Sequence, residues 1–162
     1  MTQKKYQSSG AGISLCGRYR YWLRRNWGEA DGLCGFICLN PSTGNAQKDD
    51  PTIRRCVAFA KGWGFDSLLL VNLFALRSAD PRTLSSSKDP VGPQNDWWLK
   101  QASKECDLLI AAWGNRGNLH HRATIVSKNI ERLSEMFKST PVLVFLYAEM
   151  SGPVTSTGNS FS

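Results

Sequence analysis

Four short runs of almost unbroken apolar residues, at 33–39, 67–74, 107–113 and 141–147, constrain this chain more than any other feature. Runs this short have the length of strands, and a strand apolar along both faces is one that is covered on both faces. Between the runs the spacing turns helical. Ile53, Cys56, Val57 and Ala60 form one stripe, and Leu119, Ala123, Val126, Ile130, Leu133 and Phe137 form another. Strands alternating with helices predict an α/β fold: three layers, α/β/α, around a mostly parallel central sheet. In such sheets ligands bind beyond the carboxyl ends of the strands, near a reversal in strand order. Three connections leave that edge, at 40–50, 75–94 and 114–118, so they are expected to share a site.

Local signals fill in the rest. Residues 18–24 alternate Arg, Tyr, Arg, Tyr, Trp, Leu, Arg, the period of a strand with one wet face. Asp50 is placed to cap a helix whose first position is Pro51, where a missing N–H costs nothing. Asn95 and Asp96 read as the cap of a helix running to about residue 105, with Trp97, Trp98 and Leu99 on it. The connection at 75–94 is unusually long, as functional or disordered loops are. Residues 1–15 read as a flexible leader, 16–148 as one domain, and 149–162 as a flexible Ser/Thr/Gly-rich tail.

Several function classes drop out. No apolar run approaches the roughly 20 residues of a membrane span, and the N-terminus has no secretory h-region. Five cysteines, Cys16, Cys34, Cys38, Cys56 and Cys106, form no C-x-x-C pair and read as reduced thiols of a cytoplasmic protein. The histidines, His120 and His121, are adjacent, which supports neither a zinc site nor a Ser/His/Asp triad. There is no Walker loop and no G-x-G-x-x-G. No metal and no cofactor is expected.

The formal net charge is +7, and residues 1–66 carry ten Lys/Arg against five Asp/Glu. That excess sits in Arg18, Arg20, Arg24, Arg25, Lys48, Arg54, Arg55 and Lys61, and it favours a phosphate-bearing partner, DNA or a nucleotide. Basic residues that only keep a domain soluble are the plainer alternative.

The loop Leu39, Asn40, Pro41, Ser42, Thr43, Gly44 is the leading candidate site. The Asn40 amide has a donor and an acceptor end, suited to holding a water or a base edge. Ser42, Thr43 and Gly44 supply hydroxyls and backbone for an anion, and the helix start at Pro51 and Thr52 adds positive potential. The same residue types also make ordinary turns. Asp49 and Asp50 are candidates for a general base or a metal ligand, with helix capping the commoner role, assigned here to Asp50. Arg54 and Arg55 lie in the first turns of that helix and are candidate phosphate ligands. Asn72 interrupts an apolar strand and needs a partner if buried. Arg77 and Asp80 follow that strand's end, where they either pair with each other or reach the site.

Read together, Tyr19, Arg20, Tyr21, Trp22 and Leu23, then Leu39 to Thr43, Asp50 to Cys56, Val71 to Arg77, Asp80 and Pro81, Asp89 to Gly92, Asn95 and Asp96, and Ala112, Trp113 and Gly114 resemble the bacterial and phage family called domain of unknown function 1643. The resemblance spans roughly residues 18–147. An Asn-Pro loop after the first core strand, with the order of elements that follows it, is also similar to the uracil-DNA glycosylase superfamily. That likeness implies a glycosylase-like fold, with Asn40 orienting a hydrolytic water and Pro41, Ser42 and Thr43 lining a pocket. Asn72, Arg77, Trp113 and Gly114 would complete it, Arg54 and Arg55 would meet phosphate, and Trp113 or Phe74 would receive a flipped base. Members of the unknown-function family continue with a Gly-x-Pro-x-His-Pro-Leu segment. Residues 155–162 resemble its beginning, so the expectation is a tail truncated before that motif.

Three readings follow. The first is a DNA-interacting, glycosylase-like protein hydrolysing an N-glycosidic bond. The second is a non-catalytic nucleic-acid or nucleotide-binding module. The third is a small-molecule hydrolase using Asp49 or Asp50.

Overall fold

A computed structural model describes residues 4–29, 31–137 and 142–144, with side chains as far as residue 132. Six strands, β1 (Ser8–Ile13), β2 (Arg20–Asn26), β3 (Leu33–Cys38), β4 (Ser67–Asn72), β5 (Leu108–Ala111) and β6 (Val142–Val144), form one sheet in the order β1-β2-β4-β3-β5-β6. β4, β3, β5 and β6 are parallel, and β1 and β2 join antiparallel at the β4 side. The four apolar runs thus supply the parallel strands, as expected. The helices are α1 (Pro51–Gly62), the short α2 (Thr83–Ser86), α3 (Asn95–Glu105) and α4 (Arg122–Phe137).

Strand periodicity splits the core in two. Cys34, Phe36, Leu68, Leu70 and Ile110 pack with Ile53, Cys56, Val57 and Ala60 of α1. The alternate residues Ile37, Leu69, Val71 and Leu109 pack with Leu99 and Ala102 of α3 and with Ala123, Val126 and Ile130 of α4. Helices therefore cover both faces, which is why the central strands are apolar throughout. Burying a side chain such as Ile53 contributes roughly 1.5–3 kcal/mol.

The leader reading fails over residues 8–13, which form β1. Its composition hides it: Gly10 and Gly12 are there because the Trp22 indole lies against them. A Cβ on Gly12 would fall 2.1 Å from Trp22 Nε1. The pairing slips at Gly12 and Ile13, which face Trp22 and Arg20 and skip Tyr21, a one-residue bulge.

Two details of the helix starts depart from simple capping. Asn95 does not cap α3; Gln94 holds the cap position, and Asn95 is fully buried, its Nδ2 donating to the Asn72 and Leu73 carbonyls at 2.9 and 3.0 Å. His120 and His121 do not open a helix. They sit in the left-handed region, φ 54° and 56°, at the end of a 3-10 segment (Asn115–His121) that leads directly into α4. The expected tail at 149–162, including the motif remnant at 155–162, lies outside the described residues. No helix among the described residues is long and apolar enough to cross a membrane.

Candidate functional site

The connection from β3 through α1 leads to β4 on one side of β3, and the chain then crosses to β5 on the other. The strand order therefore reverses between β3 and β5, the position where open α/β sheets bind ligands. A cleft of about 660 Å³ opens there, a size that suits a small organic ligand. Its walls come from the three connections named from sequence: Leu39, Asn40 and Ser42 after β3, Ser78, Ala79 and Pro81 after β4, and Trp113 to Arg116 after β5. Pro51, Thr52 and Arg55 of α1 close one side. No carboxylate lines it among the described residues.

Asn40 is fixed by what its amide must donate to. Nδ2 faces three carbonyls, Ser78 at 2.9 Å, Pro41 at 3.1 Å and Leu76 at 3.4 Å. Only a donor fits among three acceptors, so the amide orientation is determined, and Oδ1 remains for a ligand or water. The same bonds hold the chain leaving β4 against the chain leaving β3, helped by Ser78 N donating to the Pro41 carbonyl at 2.9 Å.

Gly44 turns the loop back toward α1. A Cβ there would stand 2.1 Å from Ile53 Cδ1 and 3.1 Å from Asp50 Oδ2. Asp50 caps α1 as expected, Oδ1 accepting from Ile53 N at 2.9 Å, while Oδ2 accepts from Gly44 N at 3.3 Å. Asp49 does not reach the cleft. Oδ2 takes Lys5 Nζ and the Tyr6 hydroxyl, each at 2.6 Å, and Oδ1 takes Arg25 Nε at 2.9 Å. Burial alone would raise its pKa, but the bonds from Lys5, Tyr6 and Arg25 outweigh burial and hold it below the usual carboxylate value.

The remaining candidates divide. Ser42, Trp113, Gly114 and Arg55 line the cleft with Asn40, whereas Thr43 and Arg77 line a neighbouring one. Pro41 is buried and contributes only its carbonyl. Arg54 is exposed, donating to the Asp49 carbonyl at 3.1 Å. Asn72 is 1% exposed, away from both clefts, and neither its Nδ2 nor its Oδ1 has a partner among the described residues. Phe74 is wholly buried and offers no face to a base. Trp113 is half-buried and lines the first cleft. Its position depends on two glycines: Gly114 adopts φ 69°, ψ −166°, a conformation essentially confined to glycine, and Gly117 presents bare backbone to the indole.

The basic excess is partly internal. Arg20 and Arg25 are 2% and 1% exposed and tie β2 to the cleft loop through the carbonyls of Gly44, Asn45 and Lys48. Burial pulls the Arg20 pKa down to about 10, which leaves it charged at neutral pH. Arg24 pairs with Glu105. The cations at the cleft are Arg55 and Arg116. Sequence reading missed Arg116, whose one signal is its place in the loop leaving β5.

Four cysteines are buried, Cys16 is exposed, and none is in a disulfide. Among the described residues no three His, Cys, Asp or Glu side chains come together as a metal site.

A family model described as "Protein of unknown function (DUF1643)" matches residues 20–148. The chain belongs to this family. No curated protein and no solved structure matches it significantly. The DUF1643 match takes in every residue lining the first cleft, while β1, Lys5 and Tyr6 precede it.

Proposed function

We propose that the cleft between the ends of β3 and β5 binds a nucleotide, its base on Trp113 and its phosphate at the first turn of α1. The observation that carries this reading is the pairing of an aromatic wall with Arg55, Arg116 and a helix N-terminus in one cleft that has no carboxylate among its described lining residues. The Thr52 amide lies in the first turn, beyond the reach of any intrahelical carbonyl, so it can donate to an anion alongside the two guanidiniums. The indole supplies a sequence-tolerant stacking surface, worth about 1–3 kcal/mol per base. Calorimetric titration with nucleoside monophosphates at low salt tests it. Trp113→Ala should weaken binding by roughly 5- to 150-fold, the equivalent of that stacking energy. No binding of any monophosphate or oligonucleotide at low salt would reject the reading, because phosphate contacts are strongest there.

The arrangement of Asn40 favours a second, catalytic reading: hydrolysis of the N-glycosidic bond of the bound unit. With Nδ2 committed to three carbonyls, Oδ1 is an acceptor in a fixed position and can orient an attacking water. The likeness to uracil-DNA glycosylases is one of loop sequence and element order, and it supports this chemistry only as analogy. Asp49 and Asp50 are both engaged in holding the loop, and neither lines the cleft, which weighs against the small-molecule hydrolase reading built on them. Base release from oligonucleotides carrying uracil, hypoxanthine or other modified bases is the test. A rate that survives Asn40→Ala would remove Asn40 from the role.

A further inference from the structure

A second cleft, of about 860 Å³, adjoins the first, and the two share Ser42, Ser78 and Ala79. Its chemistry is different. Arg18, from the turn before β2, Arg77, from the chain leaving β4, and Lys88, after α2, all line it. Asp89 is the only acid among its lining residues, and one of its oxygens accepts from Gly92 N at 2.9 Å. Ser42, Thr43, Ser78, Thr83 and Ser86 also line it, the Ser78 and Ser86 hydroxyls donating to the Asp80 and Thr83 carbonyls. No open aromatic face is present: Tyr19 is 8% exposed, with its hydroxyl donating to the Asp89 carbonyl.

Cations and hydroxyls without a stacking ring suit sugar and phosphate, and not a base. The first cleft has a ring, two arginines and a helix terminus. We infer that the two clefts form one groove for a single-stranded oligonucleotide, with one base held at Trp113 and the backbone of the adjoining nucleotide running past Ser42 and Ser78 to Arg18, Arg77 and Lys88. The strand must be unpaired at the held nucleotide, since a base stacked on Trp113 has left its duplex neighbours. This inference rests on the nucleotide reading of the first cleft and adds the class of ligand.

The test compares thymidine monophosphate with an oligothymidylate of about six residues, within the range one such site covers. The oligonucleotide should bind at least about tenfold more tightly at low salt, because more phosphates are neutralised. In the double variant Arg18→Gln, Lys88→Gln that advantage should vanish, with the salt dependence flattened by about 0.7 for each lost phosphate contact. Monophosphate affinity and melting temperature should be unchanged. Arg77 is kept because its Nη1 donates to the Gly17 carbonyl at 3.2 Å and so has a structural role. Equal affinity for monomer and oligomer, or an oligomer affinity that the double variant leaves intact, would overturn the groove while leaving the nucleotide reading in place. Failure of both ligands to bind would reject the nucleotide reading itself.

Discussion

Arg25 Nε donates to Asp49 Oδ1 at 2.9 Å, with the two side chains 1% and 8% exposed, and this contact ties β2 to the loop that walls the cleft. Removing one partner of a buried pair leaves the other charge uncompensated. Asp49→Asn is therefore expected to cost about 3 kcal/mol in urea unfolding, while Lys5→Met, at the exposed side of the same carboxylate, should cost no more than about 1 kcal/mol. A loss below the lysine figure for Asp49→Asn would show that the Asn45 and Lys48 carbonyls hold Arg25 unaided.

The same contact has a pH signature. Asp49 is held below its ordinary pKa of 3.8, so its contribution is complete above that value and is lost as pH falls through the lower folded value. Wild-type unfolding free energy should drop more steeply below pH 3.8 than that of Asp49→Asn. Parallel slopes would contradict the assignment.

Asp50 serves two backbone donors, Ile53 N and Gly44 N. Asp50→Ala should destabilise by about 2 kcal/mol, a lost cap plus a buried amide without a partner. Asp50→Asn retains one acceptor oxygen and should recover part of this. Thermal melts of the two variants decide the order.

Gly117 is where a single methyl group should move the stacking wall, which also packs against the core. A Cβ there would meet Trp113 Cδ1 at 2.2 Å and Nε1 at 2.8 Å. Gly117→Ala is expected to weaken nucleotide binding about tenfold, within the range of one stacking contact, and to lower the urea midpoint because the displaced indole packs against the core. Unaltered affinity would mean that the indole is not the base platform.

Thiol reactivity should follow environment. Cys16 is exposed, and the Ser14 hydroxyl together with backbone near Arg18 lowers its pKa. Burial pushes Cys34 up to about 12 and raises Cys106, and contact with Cys38 together with burial raises Cys56. Iodoacetamide at neutral pH should therefore modify Cys16 first, with Cys34, Cys56 and Cys106 reacting only on unfolding. Peptide mapping after a short exposure reads this directly.

Local signals carried the parallel strands and α1 because their causes are local. An unbroken apolar run reports two covered faces, and Asp50 before Pro51 reports a helix start within four residues. β1 was hidden because its glycines answer to Trp22, a residue of the neighbouring strand. Asn95 was misread because a capping asparagine and one donating to the carbonyls of a strand 22 and 23 residues earlier look alike in one dimension.

The alternation of strand and helix, the capped start of α1 and the three connections at the sheet's carboxyl edge all follow from patterns a few residues long, and so are legible in one dimension. Which polar groups face the cleft depends instead on how distant elements pack. Arg20 and Arg25 turned inward, Asp49 was taken by a residue 24 positions away, and the Asn40 amide was oriented by a carbonyl 38 positions away. A count of charges is indifferent to folding, whereas the direction a charge or an amide faces is set by partners that meet only when distant strands pair.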